Sequence, residues 1–305
     1  MHAGLKISAF AAALAATFGT AYGVGRGIDP VVTESAPASH GGHEGGGHEG
    51  GGEEAGHEES PAGGLQISEG GYTLDLRTPS VTAGQRAELR FAIRDAAGRA
   101  VTAYQREHDK ELHLIVASRD LVTYRHLHPT RAADGTWSIP VSLPRAGGYR
   151  VFADFTPAKK GAENLVLGAD LAASGAYAPQ KLPAPSGIAT VDGYKVALTG
   201  GLTRNTATEL KLKVTRDGRP VTDLQPYLGA YGHLVALRSG DLAYLHVHPN
   251  AGTGSGPDIS FTATAPSDGT YRLFLDFKHE GQVRTAAFTV QTGAGHEEAE
   301  GGHGH

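Results

Sequence analysis

The segment Leu112–Pro129, Leu-His-Leu-Ile-Val-Ala-Ser-Arg-Asp-Leu-Val-Thr-Tyr-Arg-His-Leu-His-Pro, has a second copy in the same chain. His233, His246, His248 and Pro249 follow His113, His126, His128 and Pro129 at a constant offset of 120 residues. The correspondence continues on both sides: Gly71-Tyr72 matches Gly193-Tyr194, and Gly98 to Thr102 matches Gly218 to Thr222. Downstream, the run Gly148 to Phe155 matches Gly269 to Phe277 with one residue inserted. A repeat of this period within 305 residues requires two tandem copies of one small domain, each able to bury its own core.

Within each copy, short apolar runs are separated by Gly, Pro, Asp and Asn. In the first copy the pattern predicts strands at 72–76, 86–94, 112–118, 121–127, 136–142, 149–155 and 164–172. Seven strands in about 100 residues, with no convincing helix, predict an all-β fold of two tandem immunoglobulin-like β-sandwiches. The expected order is a signal anchor or signal peptide at 1–26, a His/Gly/Glu linker at 27–64 and sandwiches at 65–175 and 187–291. A proline-rich connector at 176–186 joins the sandwiches, and a His/Glu tail occupies 292–305.

The duplicated segment reads as a hairpin. A two-residue turn at Arg119-Asp120 sets His113 opposite His126, and opposed residues of an antiparallel pair share a face. His128, two residues beyond His126, lies on that face as well. Ser239-Gly240 is the equivalent turn of the second copy and pairs His233 with His246, with His248 alongside. An odd-length turn would rotate His113 and His233 to the other face. The proline after each His-x-His ends the strand, so three imidazoles gather at the open end of each hairpin.

Three converging imidazoles are a metal-site spacing, and the sequence offers one such set per copy: His113, His126 and His128, then His233, His246 and His248. The chain has 16 histidines, no cysteine and one methionine, which excludes thiolate sites and favours an imidazole site suited to Cu(II) or Zn(II). Ligation needs neutral imidazole, so affinity is expected to fall as the pH drops through about 6.5. The competing reading is hydrogen-bonded structural histidine, and duplication transmits a residue whatever its role. Still, Arg125 has become Leu245 and Glu111 has become Tyr231 while all three histidines stayed. Asp154 and Asp276 are candidate supporting carboxylates. Alternation places Asp154 with Arg150 and Phe152, away from the apolar set Tyr149, Val151, Ala153 and Phe155, which argues for a supporting or salt-bridging role over direct ligation. Tyr124 and Tyr244 precede the His-x-His on the histidine face, as core packing or as phenols near an ion.

The N-terminal 26 residues carry Lys6, an apolar run from Ile7 to Gly25 and Arg26. This fits a membrane anchor, or a signal peptide cleaved after the small residues near Ala21-Tyr22-Gly23. The linker that follows, with His40, His43, His48 and His57 among glycines and glutamates, has too few apolar side chains to offset ordering entropy. It and the tail, with His296, His303 and His305, read as flexible tethers or metal-collecting tracts. The net charge of −5 gives no basic surface for nucleic acid.

The motifs His113-Leu114-Ile115-Val116, His126-Leu127-His128-Pro129 and Phe152-Ala153-Asp154-Phe155, with looser copies at His233, His246–Pro249 and Phe274–Phe277, resemble a group of exported proteins of high-GC Gram-positive bacteria. That group has an N-terminal membrane segment and a His/Gly linker, and the likeness covers nearly the whole chain. It implies single-pass membrane attachment with extracytoplasmic domains and, in some members, an association with heavy-metal handling. The chain is similar to copper-resistance sandwich proteins in architecture and histidine use only. Together these features predict a non-catalytic, extracytoplasmic metal-binding protein whose partners are metal ions, the membrane and another metal-handling protein. The alternative is a pair of structural or interaction modules with packed histidines. His246-Val247-His248 superficially resembles the His-x-His of copper–zinc superoxide dismutases, but the further ligands and the cysteine pair of that family are absent. No phosphate loop, nucleophile elbow or paired acid–base carboxylates stand out, so no enzyme activity is expected.

Overall fold

The computed structural model describes residues 62–293, excepting 246, 251 and 253 and the side chain of His248. The expected signal or anchor segment, the linker to residue 61 and the tail from residue 294 lie outside the described residues, as do His246 and the imidazole of His248. Among the described residues every regular element is a β-strand, and no helix is long and apolar enough to cross a membrane.

The first repeat comprises β1 (Ser68–Glu69), β2 (Tyr72–Leu76), β3 (Ser80–Thr82), β4 (Arg86–Arg94) and β5 (His113–Ser118). It continues with β6 (Tyr124–Leu127), β7 (Thr130–Arg131), β8 (Trp137–Ser142), β9 (Gly147–Phe155) and β10 (Leu165–Ser174). One sheet runs β1-β2-β4-β8-β7 and the other β3-β10-β9-β5-β6. The second repeat comprises β11 (Ile188–Val191), β12 (Tyr194–Thr199), β13 (Ala207–Arg216), β14 (Arg219–Pro220) and β15 (Gly232–Arg238). After these come β16 (Tyr244–Leu245), β17 (Val247–Pro249), β18 (Asp258–Thr264), β19 (Thr270–His279) and β20 (Gln282–Gln291). Its sheets run β11-β12-β13-β18-β17, with β14 added on β13, and β16-β15-β19-β20. Each repeat is therefore an immunoglobulin-like sandwich, as the strand pattern predicts.

Each sandwich has its own core. Leu89, Phe91, Trp137, Tyr149 and Phe155 anchor the first; Tyr194, Leu212, Phe261, Phe277 and Phe288 anchor the second. A third cluster belongs to neither alone. Ile115, Ala117, Tyr124, Phe152 and Val166 of the first repeat pack against Val235, Leu237, Tyr244 and Phe274 of the second. The two histidine-bearing sheets are thus covered on both faces, their own core on one side and the other repeat on the other. This explains why β5 reads as a continuous apolar run, Leu114 to Ala117 all at 0% exposure, rather than as an alternation.

The chain enters the sandwiches through this seam. The Tyr244 amide donates to Gly63 O (2.9 Å) and the Gly64 amide to Val166 O (2.7 Å), so residues 63–64 bond to both repeats. Arg150 donates to Gly64 O (2.7 Å) and Leu65 O (2.8 Å). A Cβ at Gly168 would stand 1.9 Å from Gly64 O, so only glycine admits the incoming strand there.

Candidate metal centre

The hairpin register differs from the two-residue turn read from sequence. In β5–β6, Ile115 pairs with His126 and Ala117 with Tyr124; in β15–β16, Leu237 pairs with Tyr244. The loops are therefore four residues long, 119–122 and 239–242, closed by Ser118 N–H to Thr123 O (2.9 Å) and Arg238 N–H to Ala243 O (2.9 Å). Leu121 and Leu242, at φ of 55° and 64°, turn back into the shared core, where they are 1% and 0% exposed. Burying a leucine contributes about 1.5–3 kcal/mol, enough to offset a left-handed residue at about 1–2 kcal/mol. Asp120 accepts from Ser118 Oγ and the Val122 amide, holding the first loop open. Four is an even number, so the faces are unchanged and the pairings slide by two residues. In the second copy, however, the hairpin pairing ends at Leu245, and Val247–Pro249 pair instead with β18 of the other sheet, His248 opposite Thr262, so the hairpin does not set His248 alongside His233 as the sequence predicts.

His113 and His126 accordingly lie on one face, with His128 on the continuation of that register opposite His113. The ring centroids stand 5.3 Å (His113–His126), 5.3 Å (His113–His128) and 4.8 Å (His126–His128) apart. One ligand nitrogen from each lies within 4.8 Å of the others, so this trio can hold a metal ion.

The hydrogen bonds fix which nitrogens are bare. His113 Nε2 faces Glu107 O at 3.2 Å, and a carbonyl only accepts, so Nε2 carries the proton. His126 Nδ1 faces Asp276 Oδ2 at 2.9 Å, so Nδ1 donates there. With both rings neutral, the facing pair, His113 Nδ1 and His126 Nε2 at 3.1 Å, are two lone pairs. Two acceptors at that distance repel unless a proton or a cation lies between them. Two nitrogens each about 2.0–2.1 Å from one ion stand ~2.9–3.4 Å apart. His128 Nε2 is buried with no hydrogen-bond partner among the described residues, so no bond opposes its turning a lone pair to an ion.

Burial favours the neutral form of His113, His128 and His233. Desolvation, then the neighbouring His126 and His113, pushes His128 down to about 3. Desolvation takes His233 down to about 4, against the opposing bond to Tyr227. His113 is lowered by desolvation and by His126.

The carboxylates lie where strand alternation puts them. Asp154 does lie off the sandwich-core set. The histidines lie off it too, because their face is the seam between repeats and not the inside of a sandwich. Asp154 is the direct cross-strand partner of His113, and Asp276 that of His233. Asp276 reaches across the seam to His126 of the first repeat and also accepts from Thr285 (2.5 Å). The Asp276 and His126 side chains are 3% and 6% exposed. Asp154 accepts from Tyr244 of the second repeat (3.2 Å) and from Asn164 (2.8 Å). Tyr124, the counterpart of Tyr244, stacks on Phe274 at 4.1 Å and 7°. Its hydroxyl has no hydrogen-bond partner among the described residues, and burial followed by the charge of Asp276 raises its pKa well above the usual phenol range.

Of the second set, His233 donates through Nε2 to Tyr227 O (2.8 Å), as His113 does to Glu107 O 120 residues earlier. Its ring is 6.3 Å from His113 and 6.1 Å from His126, so it borders the first trio without joining it. His108, not singled out from the sequence, stands 4.9 Å from His233 and 6.2 Å from His113. Its position in Glu107-His108-Asp109, just ahead of the histidine strand, was the available signal. Leu228 is its counterpart in the second copy, so the duplication did not mark it. A cleft between the repeats, lined by Glu107, His108, His113, His126, Asp154 and His233, opens the cluster to ions.

The fold and the site define a tandem immunoglobulin-like protein with a histidine cluster at the junction of its repeats. A family model described as a domain of unknown function, DUF8832, matches residues 66–164 and again 189–294. Those two spans cover well over half of the chain, which belongs to that family. No curated protein matches the sequence. Among solved structures, FdeC, an Escherichia coli adhesin, is similar at 16% identity and a TM-score of 0.24, covering 77% of this chain and 66% of that one. Yersinia pseudotuberculosis InvD is similar at 12% identity and a TM-score of 0.24, covering 74% and 58%. The chain spans less than two thirds of either, and a likeness at that level carries no function across.

Proposed function

We propose that this chain is a non-catalytic, extracytoplasmic metal-binding protein that holds Cu(II) or Zn(II) at His113, His126 and His128. The observation that carries the reading is the confrontation of two bare imidazole nitrogens at 3.1 Å, each ring fixed by a bond on its far side. The Asp276–His126 contact supports it, since metal-bound histidines commonly give their other N–H to a carboxylate. The His-rich tracts at 40–57 and 296–305 supply further weak ligands that feed ions toward the junction, and the apolar N-terminal run supports export and membrane attachment. A second metal-handling protein would receive or donate the ion.

One observation favours the alternative. The His126–Asp276 contact bridges the repeats, so a proton shared between His113 and His126 would make the cluster a structural clasp of two interaction modules. Thermal unfolding of the full chain with and without Cu(II) or Zn(II) separates the readings. Ions held by the tails leave the sandwiches' melting temperature unchanged, whereas an ion in the cluster raises it. His128→Ala removes a ligand but, among the described residues, no hydrogen bond of His128 Nε2, and is expected to abolish the rise. A melting temperature indifferent to both metals would leave the clasp reading.

A further inference from the structure

We infer that the metal centre is assembled only by docking of the two repeats, with Asp276 of the second positioning a ligand of the first, so that ion binding and inter-repeat docking are thermodynamically linked. The inference rests on the metal-binding reading and adds its regulation. All three proposed ligands belong to the first repeat, but the group that fixes the His126 ring does not. Asp276 lies on β19 and reaches His126 Nδ1 at 2.9 Å. Its other carboxylate oxygen is held by Thr285 of β20, so both its position and its direction come from the second repeat. Without Asp276, the His126 ring keeps no hydrogen bond that selects the Nδ1-protonated tautomer, the one that leaves Nε2 bare toward His113. The walls around the ligands are shared as well: His233 and Tyr227 of the second repeat stand beside His126 and His128.

Docking itself rests on the shared core and not on the ligands. Leu237, Leu242 and Phe274 lie in that core, and Leu237 faces away from the second sandwich's own core, which its neighbour Ala236 joins. The seam can therefore be opened while each sandwich stays folded. If the ion binds the docked arrangement preferentially, it must by reciprocity strengthen docking by the same factor.

The test uses the full chain, three variants and added Zn(II) or Cu(II). Asp276→Asn keeps the shape of the side chain and removes the charge that orients His126. The apparent metal affinity, read from the concentration dependence of the melting temperature, is expected to fall about 10–100-fold, as for other carboxylates behind metal-bound histidines. Leu237→Glu puts a carboxylate into the shared core without touching a ligand, and is expected to weaken the metal response in the same direction. His128→Ala should abolish it. In the unsubstituted chain, metal should slow hydrogen exchange at the seam amides of Leu121, Leu242 and Tyr244, a readout that a merely structural Asp276 would not move. Wild-type affinity in both Asp276→Asn and Leu237→Glu, with the response lost in His128→Ala, overturns the inference and leaves the metal reading standing. Metal binding with no change in seam exchange does the same. No metal response in the unsubstituted chain overturns both. Should Leu237→Glu fail to fold, Asp276→Asn and the exchange measurement decide.

Discussion

The two repeats place the same residues at the same junction and use them differently. Asp276 takes a histidine from the opposite repeat, while Asp154 takes a tyrosine. Tyr244 makes that bond, whereas its counterpart Tyr124 leaves its hydroxyl unpaired and stacks flat on Phe274. The equivalent pair, Phe152 and Tyr244, is wider, at 5.7 Å and 49°. Duplication transmitted the side chains, but the seam is not symmetric in its contacts. A residue's role here depends on which neighbour the other repeat presents. Inheritance of the histidine pattern therefore does not imply equal sites.

The largest effect should come from the shared core. Phe274→Ala removes a ring that is 2% exposed and stacked on Tyr124, and is expected to destabilise by about 3–5 kcal/mol in urea unfolding. Phe152→Ala, at 0% exposure, should fall in the same range. A large excess for one of them would show that one half of the seam dominates docking. Next, Asp276→Ala strands the His126 N–H and the Thr285 hydroxyl and should cost about 1–3 kcal/mol. Asp154 is less buried than Asp276, so Asp154→Ala, which strands the Tyr244 hydroxyl and the Asn164 amide, should cost less by the same assay.

Acid should weaken the seam. His128 and His233 sit at about 3 and about 4 when folded, against about 6.5 unfolded. Between those values the unfolded chain binds more protons, so stability is complete above about 6.5 and is lost as the pH falls toward 4. The urea midpoint of the metal-free chain should decline over that window, and His128→Ala should flatten the decline. The smallest effects distinguish the tyrosines. Tyr244→Phe loses a bond to Asp154 and should cost about 1 kcal/mol. Tyr124→Phe deletes an unpaired buried hydroxyl and should be neutral or slightly stabilising.

Much of this was readable from residue order. The offset of 120 residues, the turn residues and the apolar runs indicate two sandwiches, because strand alternation and Gly/Pro punctuation are local properties. Gathering His113, His126 and His128 on one face needed only an even-length turn, and that survived a two-residue error in register. The error itself had a tertiary cause. Leu121 and Leu242 open their loops because a hydrophobic surface from the other repeat waits for them. That same surface turned the expected inside of a sandwich into the junction between two.

Sequence alone determined the duplicated all-β architecture, the absence of thiolate chemistry and the identity of the gathered imidazoles, since all three follow from composition and period. Only the tertiary structure decided that Asp276 serves a histidine 150 residues away, that His108 borders the cluster and that the Tyr124 hydroxyl finds no partner among the described residues. Those contacts come from packing two sheets face to face, and the periodicity of one strand holds no information about which strand of another domain will cover it.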